Sequence, residues 1–394
     1  MEWLTSLGNA LQNPATYIDA LTLGSIYALI AVGYTMVYGI IKLINFAHGE
    51  IIMLGTYVGL LAVNTLNVPI VLAILIAMLA CAAIGAILDW TAYLPLRRSL
   101  PKAEILSIIG LVGGAGLLIA YFTTGEAGDS MATAHRIVFG FLAVVLLMLL
   151  VSTLADLLGW FGSPRNNVKS DRLAALITAI GMSLCLQTMA HLLWSAKYES
   201  FPTAASKIFD SKLIAQSAEG LVFRLNPFGP PLIDAVPVLL WKELITWVAM
   251  LVLMIVLLLI VQRTKIGKAM RACALDQQTA WLMGINVNHV IAFTFMIGSA
   301  MAAVAGILYS VKVGGNIYPR MGYYPGVIAF AAAVLGGIGN IKGAVLGGLI
   351  IGFTEAFGGA VAQQYDKAFA FGLMVIFILF RPWGILGQKE AKRA

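Results

Sequence analysis

Residues Gln262–His289 read QRTKIGKAMRACALDQQTAWLMGINVNH and form the longest polar run between two strongly apolar segments in the C-terminal half of the chain. The segments on either side are Leu239–Val261 and Val290–Val311. Four basic side chains stand in the first part of the run: Arg263, Lys265, Lys268 and Arg271. A basic loop between two membrane spans is most simply cytoplasmic.

The polar run also carries a helix signal. Residues Lys268–Met283 lack Gly and Pro and are rich in good helix formers, so the sequence predicts one helix there. Gly284 follows where a helix end favours glycine, and Ile285 stands where the accompanying hydrophobic contact is expected. A narrow stripe of small or apolar residues recurs at helical spacing: Ala272, Leu275, Thr279 and Leu282. Two interpretations are open. The helix could insert its small residues into a groove of a partner protein, or it could be a linker helix that lies on the membrane surface with Trp281 as its anchor.

Composition excludes a soluble protein. The chain has 394 residues, of which 60% are hydrophobic and 11% charged, with a mean hydropathy of +0.92. A soluble domain has about 25% charged residues. The apolar segments are long enough for helices rather than barrel strands, so we expect an all-α polytopic membrane protein with about ten transmembrane segments.

The predicted transmembrane segments follow the apolar runs. They are Tyr17–Tyr38, Lys42–Val63, Val68–Trp90, Glu104–Phe122, Arg136–Trp160, Leu173–Trp194, Val236–Val261, Val290–Val311, a hairpin within Pro325–Phe357, and Phe369–Phe380. Alternation along this order brings the basic stretches around Arg97, Ser163–Arg172 and Gln262–His289 to one side, together with the basic tail. That agrees with the positive-inside rule. The net charge of +7 is explained by such loops facing anionic lipid, and no nucleic-acid surface is expected.

A polar group interrupts the second predicted span. Asn45, His48, Gly49 and Glu50 fall within six residues, and polar side chains at membrane depth are costly unless they face protein or water. One interpretation is a broken helix that lines the solute path. The other is a short interfacial connection, with the true span starting near Ile51.

Glycines dominate the predicted hairpin near the C-terminus. Gly336, Gly337, Gly339 and Gly343 begin the series, and we expect two helices that meet at a turn near Gly339–Lys342. A phosphate-binding loop is disfavoured because no soluble strand precedes the series and no Gly-Lys-Ser/Thr occurs. Catalytic triads, paired carboxylates and metal-ligand spacings do not stand out either, so the sequence predicts no enzyme, cofactor or metal site.

Several long stretches make the chain recognisable. TLGSIYALIAVGYTMVYGIIKLINFAHGEIIMLGTYV (Thr22–Val58), RACALDQQTAWLMGINVNHVIAFTFMIGSAMAAVAGIL (Arg271–Leu308), AAVLGGIGNIKGAVLGGLIIGFTEA (Ala332–Ala356) and RPWGILG (Arg381–Gly387) closely resemble the permease subunits of branched-chain amino acid ABC transporters of the LivH type. The resemblance implies the ABC importer permease fold in one transmembrane domain, 1–394. It also implies a location in the bacterial inner membrane with the basic loops and the C-terminus cytoplasmic.

The same resemblance implies partners. The segment 262–289 would dock into a groove of an ATP-binding cassette subunit, which hydrolyses the ATP. A second related permease would complete the membrane part, and a periplasmic binding protein would deliver the amino acid. The positions that match the docking motif are Arg271, Ala272, Ala274, Asp276, Ala280, Gly284 and Ile285.

One departure from the family pattern concerns residues 100–170. They look like an insert that adds two spans, and an even number preserves the sidedness of everything downstream. Within the family, a urea or short-chain amide permease is the nearest rival interpretation. Outside it, a secondary transporter would need the same polar break but no docking helix.

Overall fold

Apolar helices make up most of the residues that the computed structural model describes, namely 2–43, 45–94, 172–194, 197–201, 211–217, 220–223, 236–381 and 383–387. The first helices are α1 (Glu2–Gln12), α2 (Pro14–Ile41), α3 (His48–Leu66), α4 (Ile70–Leu88, continued by a π-helical turn, Asp89–Tyr93) and α5 (Arg172–Trp194). The later helices are α6 (Trp241–Arg263), α7 (Lys265–Leu275), α8 (Gln277–Leu282), α9 (Val287–Lys312), α10 (Tyr323–Gly336), α11 (Ile341–Val361) and α12 (Asp366–Phe380), with a 3₁₀ turn at Gln363–Tyr365 before α12.

Six helices in these described ranges are long and apolar enough to cross a membrane: α2, α3, α4 with its π-helical turn, α6, α9 and α11. The predicted helical membrane protein is therefore confirmed. The fourth and fifth predicted spans, and the whole of 100–170, lie outside the described residues.

Two elements differ from the prediction. A helix, α1, precedes the first span. A small antiparallel sheet in the order β2-β1-β3 is formed by β1 (Lys212–Ser217), β2 (Gly220–Phe223) and β3 (Val236–Leu240). Residues 236–240 are thus a strand, and the span predicted to begin at Val236 begins as helix α6 at Trp241.

Helix α2 is the centre of the bundle. Its start is fixed by Asn13, whose side chain accepts a hydrogen bond from the amide of Ala15 at 3.0 Å, with Pro14 in the first turn. It ends at Ile41, and Lys42 follows as a left-handed C-cap with φ of 60°. Its 28 residues extend about 42 Å. It therefore exceeds the ~30 Å hydrocarbon core and carries its last turn out to the surface segments.

Small residues let α11 lie directly on α2. A Cβ added to Gly348 would collide with the backbone of Ala28, and one added to Gly352 would collide with that of Gly24. Without side chains between them, the two backbones approach closely, as small residues allow in membrane helix pairs.

The predicted glycine hairpin is present as α10 and α11. The helices are joined by residues 337–340, where Gly337 (φ 104°) and Gly339 (φ 94°) take backbone conformations that favour glycine. Gly336 and Gly343 face each other across the hairpin, and an added Cβ on either would meet the carbonyl of the other. The turn therefore overlaps the expected Gly339–Lys342 and begins slightly earlier.

Candidate functional site

The polar group Asn45–Glu50 lies between two helices rather than inside one. Helix α2 ends at Ile41 and α3 begins at His48. This start is three residues before Ile51, where the second span was expected to begin if the polar group were an interfacial connection. Asn45, His48 and Glu50 are only 2%, 1% and 1% exposed, so the connection is buried within the protein. Buried polar side chains at a helix break agree with the interpretation that they face protein or a path through it.

The break lies deep in the bundle. The ring of His48 packs edge-on against that of Tyr34, with centroids 4.6 Å apart, and a Cβ on Gly33 would lie 2.5 Å from His48 Nε2. Gly33 is eight residues before the end of α2, so His48 sits about 12 Å below that end.

The start of α10 meets the start of α3 at this depth. A Cβ on Gly49 would lie 3.0 Å from the carbonyl oxygen of Gly322, and a Cβ on Gly326 would lie 2.8 Å from Cα of Gly49. Two helices therefore begin side by side within the bundle, a geometry that places helix N-termini where a solute passes in some transporters.

Neighbouring helices hold the polar group in place. Tyr93 donates a hydrogen bond to Asn45 Oδ1 at 2.8 Å. Gln187 and Ser183, one turn apart on α5, donate to Glu50 Oε1 at 2.7 and 3.0 Å. The sequence analysis missed all three partners. Gln187 and Ser183 could have been found as polar residues one turn apart in an apolar segment.

Three polar atoms of the group have no hydrogen-bond partner among the described residues: Asn45 Nδ2, His48 Nε2 and Glu50 Oε2. Buried polar atoms are nearly always paired, so their presence together at one helix break is unusual. This is the strongest sign in the described part of the chain that the predicted path residues serve something other than packing.

A cleft opens beside Asn45. It contains about 230 Å³ of empty space, counting what opens to solvent, and its walls come from α2, the break, α10 and the glycine turn. The lining residues are Tyr34, Tyr38, Asn45, Phe330, Ala333 and Ile338. Of the predicted path residues, the structure brings Asn45 to the cleft, whereas His48 packs against Tyr34 and Glu50 is bonded to α5.

The basic segment folds differently from the single helix predicted for Lys268–Met283, so that prediction was wrong. Helix α7 ends at Leu275, and α8 starts at Gln277. Asp276 breaks the helix because it has an extended backbone and accepts hydrogen bonds from the amides of Gln278 (2.9 Å) and Thr279 (3.4 Å), which makes it the N-cap of α8. The end at Gly284 is confirmed, with φ of 83°.

The cap after α8 matches the expected motif. Gly284 donates its amide to Trp281 O at 2.9 Å, and Ile285 donates to Ala280 O at 3.1 Å. This paired pattern is the Schellman arrangement, which fixes the direction in which the chain leaves the helix.

The docking positions do not all face outward. Ala280 is 4% exposed because it packs against its own chain, so it offers little surface to a partner. Arg271 is exposed and donates to the carbonyl of Val261, whereas Ala272, Ala274 and Asp276 are half-buried. The outward apolar surface consists of Leu275, Trp281, Leu282 and Met283, exposed by 87%, 50%, 74% and 79%. We call these four residues the docking face.

The inner side of the same segment contacts the bundle. Gln277 donates a hydrogen bond to the carbonyl of Ile40 near the end of α2, at 2.7 Å. Cys273 is buried, and burial raises the pKa of its thiol. The segment is therefore packed onto the helix that carries Tyr34 and Tyr38.

A buried acid lies in the opposite half of the bundle. Glu355 on α11 is 7% exposed and forms a hydrogen bond with Tyr27 of α2. The pair joins the two most closely packed helices, and Oε2 of Glu355 has no hydrogen-bond partner among the described residues.

The sequence of the chain is similar to those of known proteins. Residues 16–133 and 109–378 match the family described as branched-chain amino acid transport system / permease component. The chain is 35% identical to the high-affinity branched-chain amino acid transport system permease protein BraD of Pseudomonas aeruginosa, over 95% of this chain and 96% of that protein. It is 34% identical to the permease protein LivH of Escherichia coli K12, over 95% and 96%.

A more distant similarity links the chain to a second kind of permease. It is 24% identical to the probable branched-chain amino acid transport permease protein LivM of Methanocaldococcus jannaschii, over 72% of this chain and 83% of that protein. No solved structure matches the chain.

Proposed function

The chain belongs to the family of branched-chain amino acid transport system permease components, and from this premise we propose that it is the membrane subunit through which an ATP-driven importer carries leucine, isoleucine and valine. The observation that carries the proposal is the full-length similarity to relatives named as such permeases. The buried polar break supports the proposal, because unpaired polar atoms inside an apolar helical bundle are unusual unless they serve a function.

The ATP is hydrolysed by a separate cassette subunit, which binds the docking face. A surface with four exposed apolar side chains next to exposed Arg271 and Lys268 suits a partner's groove better than open water. The motif positions from Arg271 to Ile285 hold this face in place. Asp276 fixes the start of α8, and Gly284 fixes the direction of the chain after it.

The membrane part is a pair of permeases. Among the described residues, one chain offers one docking segment, 262–289, and the chain resembles both LivH and LivM proteins, so we propose a related permease as its partner. A periplasmic binding protein delivers the amino acid to the end of the bundle opposite the docking segment. The protein lies in the bacterial inner membrane, with the basic segment cytoplasmic.

The test is uptake by the assembled complex. The chain is expressed with candidate cassette subunits, a second permease and a binding protein from the same organism, and the complex is reconstituted in liposomes. We expect ATP-dependent accumulation of labelled leucine that a protonophore does not abolish. Uptake of urea in preference to leucine would support the amide permease, and uptake driven by an ion gradient without ATP would support a secondary transporter.

A further inference from the structure

The corner between α6 and α7 carries two basic side chains at the end of a membrane span. We propose that Arg263 and Lys265 together bind the headgroup phosphate of an anionic phospholipid, in the leaflet that adjoins the basic segment. The proposal requires only that α6 crosses the membrane. It therefore goes beyond the proposed function and does not depend on what the protein transports.

Helix α6 presents a face that meets lipid. It is the least buried of the six candidate spans in the described ranges. Along one face of the helix, apolar side chains that are 49%, 51%, 51% and 53% exposed recur every three or four residues: Val248, Val252, Ile255 and Leu259. An uncovered apolar stripe on a long apolar helix lies in the hydrocarbon of the bilayer.

Arg263 continues this stripe beyond the apolar residues. It stands one turn after Leu259, is exposed, and is the last residue of α6. The 23 residues of α6 extend about 34 Å, slightly more than the ~30 Å hydrocarbon core. The guanidinium of Arg263 therefore reaches the level of the lipid phosphates, with its stem along the apolar face.

A tight turn holds Lys265 beside Arg263. Thr264, between them, has an extended backbone, and its hydroxyl accepts a hydrogen bond from the amide of Gly267 at 3.0 Å. A Cβ added to Gly267 would lie 2.2 Å from the carbonyl oxygen of Ile260, so the first turn of α7 lies directly against the last turn of α6. The two cations are thus fixed at one corner rather than carried on a loose loop.

No described acid neutralises this pair. Arg263 and Lys265 form neither a side-chain hydrogen bond nor an ion pair with a described residue. The segment 262–289 contains one acid, Asp276, whose carboxylate caps α8. The end of α2 and the start of α9, which α7 also contacts, contribute no acid. A basic pair at the membrane surface with no protein counter-ion attracts the phosphate of an anionic lipid.

The other two cations of the segment have different positions. Arg271 donates to the carbonyl of Val261, at the end of α6, where a helix favours positive charge. Lys268 lies one turn along α7, on the exposed side that leads to Leu275 of the docking face. The lipid site and the docking face therefore lie at opposite ends of α7.

The test is photolabelling of the full chain in lipid nanodiscs. The discs consist of phosphatidylcholine with a small amount of a photoactivatable lipid whose label is next to the phosphate, either phosphatidylglycerol or phosphatidylcholine. Labels on residues 259–268 are located by mass spectrometry. We expect the anionic probe to label this stretch about 10- to 25-fold more than the neutral probe, because each basic side chain near the surface adds roughly fivefold. The preference should shrink in 1 M salt.

Substitutions assign the preference to the two side chains. Lys265→Gln should lower it about three- to fivefold, and Arg263→Gln combined with Lys265→Gln should abolish it. Lys342→Gln is the matched control, because Lys342 is exposed in the first turn of α11, away from the corner, and loses the same charge. It should keep the wild-type preference.

Three results would overturn the lipid site. They are equal labelling by the two probes in the wild-type chain, a preference that survives the double substitution, and loss of the anionic label when the second permease is assembled with the chain. The last result would mean that a protein covers this face instead. The wild-type comparison needs no variant, so a double variant that does not fold leaves the test intact. None of these measurements depends on transport, and they leave the proposed function to its own test.

Discussion

The side-chain amide of Gln277 donates a hydrogen bond to the backbone carbonyl of Ile40 at 2.7 Å, across 237 residues of sequence. The last carbonyls of a helix have no partner within that helix, and Gln277 supplies one for α2. The bond links α8, which carries part of the docking face, to the helix that carries Tyr34 and Tyr38. We therefore expect a movement of the segment 262–289 to reach α2, which forms one wall of the cleft, through this bond.

Gln277→Ala should loosen this link. A hydrogen bond of this kind contributes about 0.5–1.5 kcal/mol, so the protein should fold and bind its cassette subunit, because the docking face is untouched. We expect fewer amino acids transported per ATP hydrolysed, measured by leucine uptake and phosphate release in the same liposomes.

The control for that variant is Gln278→Ala. Gln278 is the next residue on α8, is exposed, and uses only its backbone amide in the cap by Asp276. It should keep the wild-type ratio of transport to hydrolysis. Equal ratios in the two variants would remove Gln277 from the coupling route.

Leu282→Asp tests the docking face. Leu282 is 74% exposed, and burying a leucine side chain against a partner contributes roughly 1.5–3 kcal/mol. Its loss should weaken association with the cassette subunit about 10- to 100-fold in a pull-down or binding titration. Gln278→Asp introduces the same charge on the same short helix without removing an apolar contact, and should bind nearly as well as wild type. Undiminished binding by Leu282→Asp would mean that this face is only a membrane-surface anchor.

Ala280→Trp should act on folding rather than on docking. Ala280 is 4% exposed on the inner side of α8, and overpacking a fitted contact costs about 1–3 kcal/mol. We expect lower thermal stability of the purified chain in detergent, even with no cassette subunit present. A stable Ala280→Trp chain that no longer binds the cassette subunit would show that the residue is accessible to a partner after all.

Gly284→Ala tests the end of α8. An added Cβ would meet nothing within 4 Å, but φ of 83° costs a side-chain residue about 1–2 kcal/mol. Gly284→Asn should be less harmful, since Asn tolerates this conformation. The matched control is Gly181→Ala on α5, which has equal space and no positive φ. Uptake should fall slightly for Gly284→Asn and further for Gly284→Ala. It should stay at the wild-type level for Gly181→Ala.

Gly348→Ala tests the close contact of α2 and α11. The added methyl would overlap the backbone of Ala28, which cannot move as a flexible side chain could. The folded fraction in a size-exclusion profile should drop sharply. Gly372→Ala on α12, where an added Cβ meets nothing within 4 Å, should leave the profile unchanged. Equal profiles would show that the two helices can separate at little cost.

The sequence by itself determined that the protein is a helical membrane protein, and it determined the glycine hairpin, the helix end at Gly284 and the family. These depend on local composition and on backbone conformations that single residues require, so they can be read along the chain. The start of α6 at Trp241 was missed because the apolar residues of β3 run into the helix without a change of composition.

The tertiary structure alone decided which side chains face outward and which polar groups meet. The helical spacing of Ala272, Leu275, Thr279 and Leu282 predicts one continuous helix. It does not predict that the helix breaks at Asp276 or that Ala280 faces inward. The partners of Asn45 and Glu50 come from α4 and α5, far away in sequence, and the cleft needs Tyr34 and Phe330 from two other helices. Such contacts depend on how whole helices pack, and packing is fixed by all the faces together rather than by any one stretch.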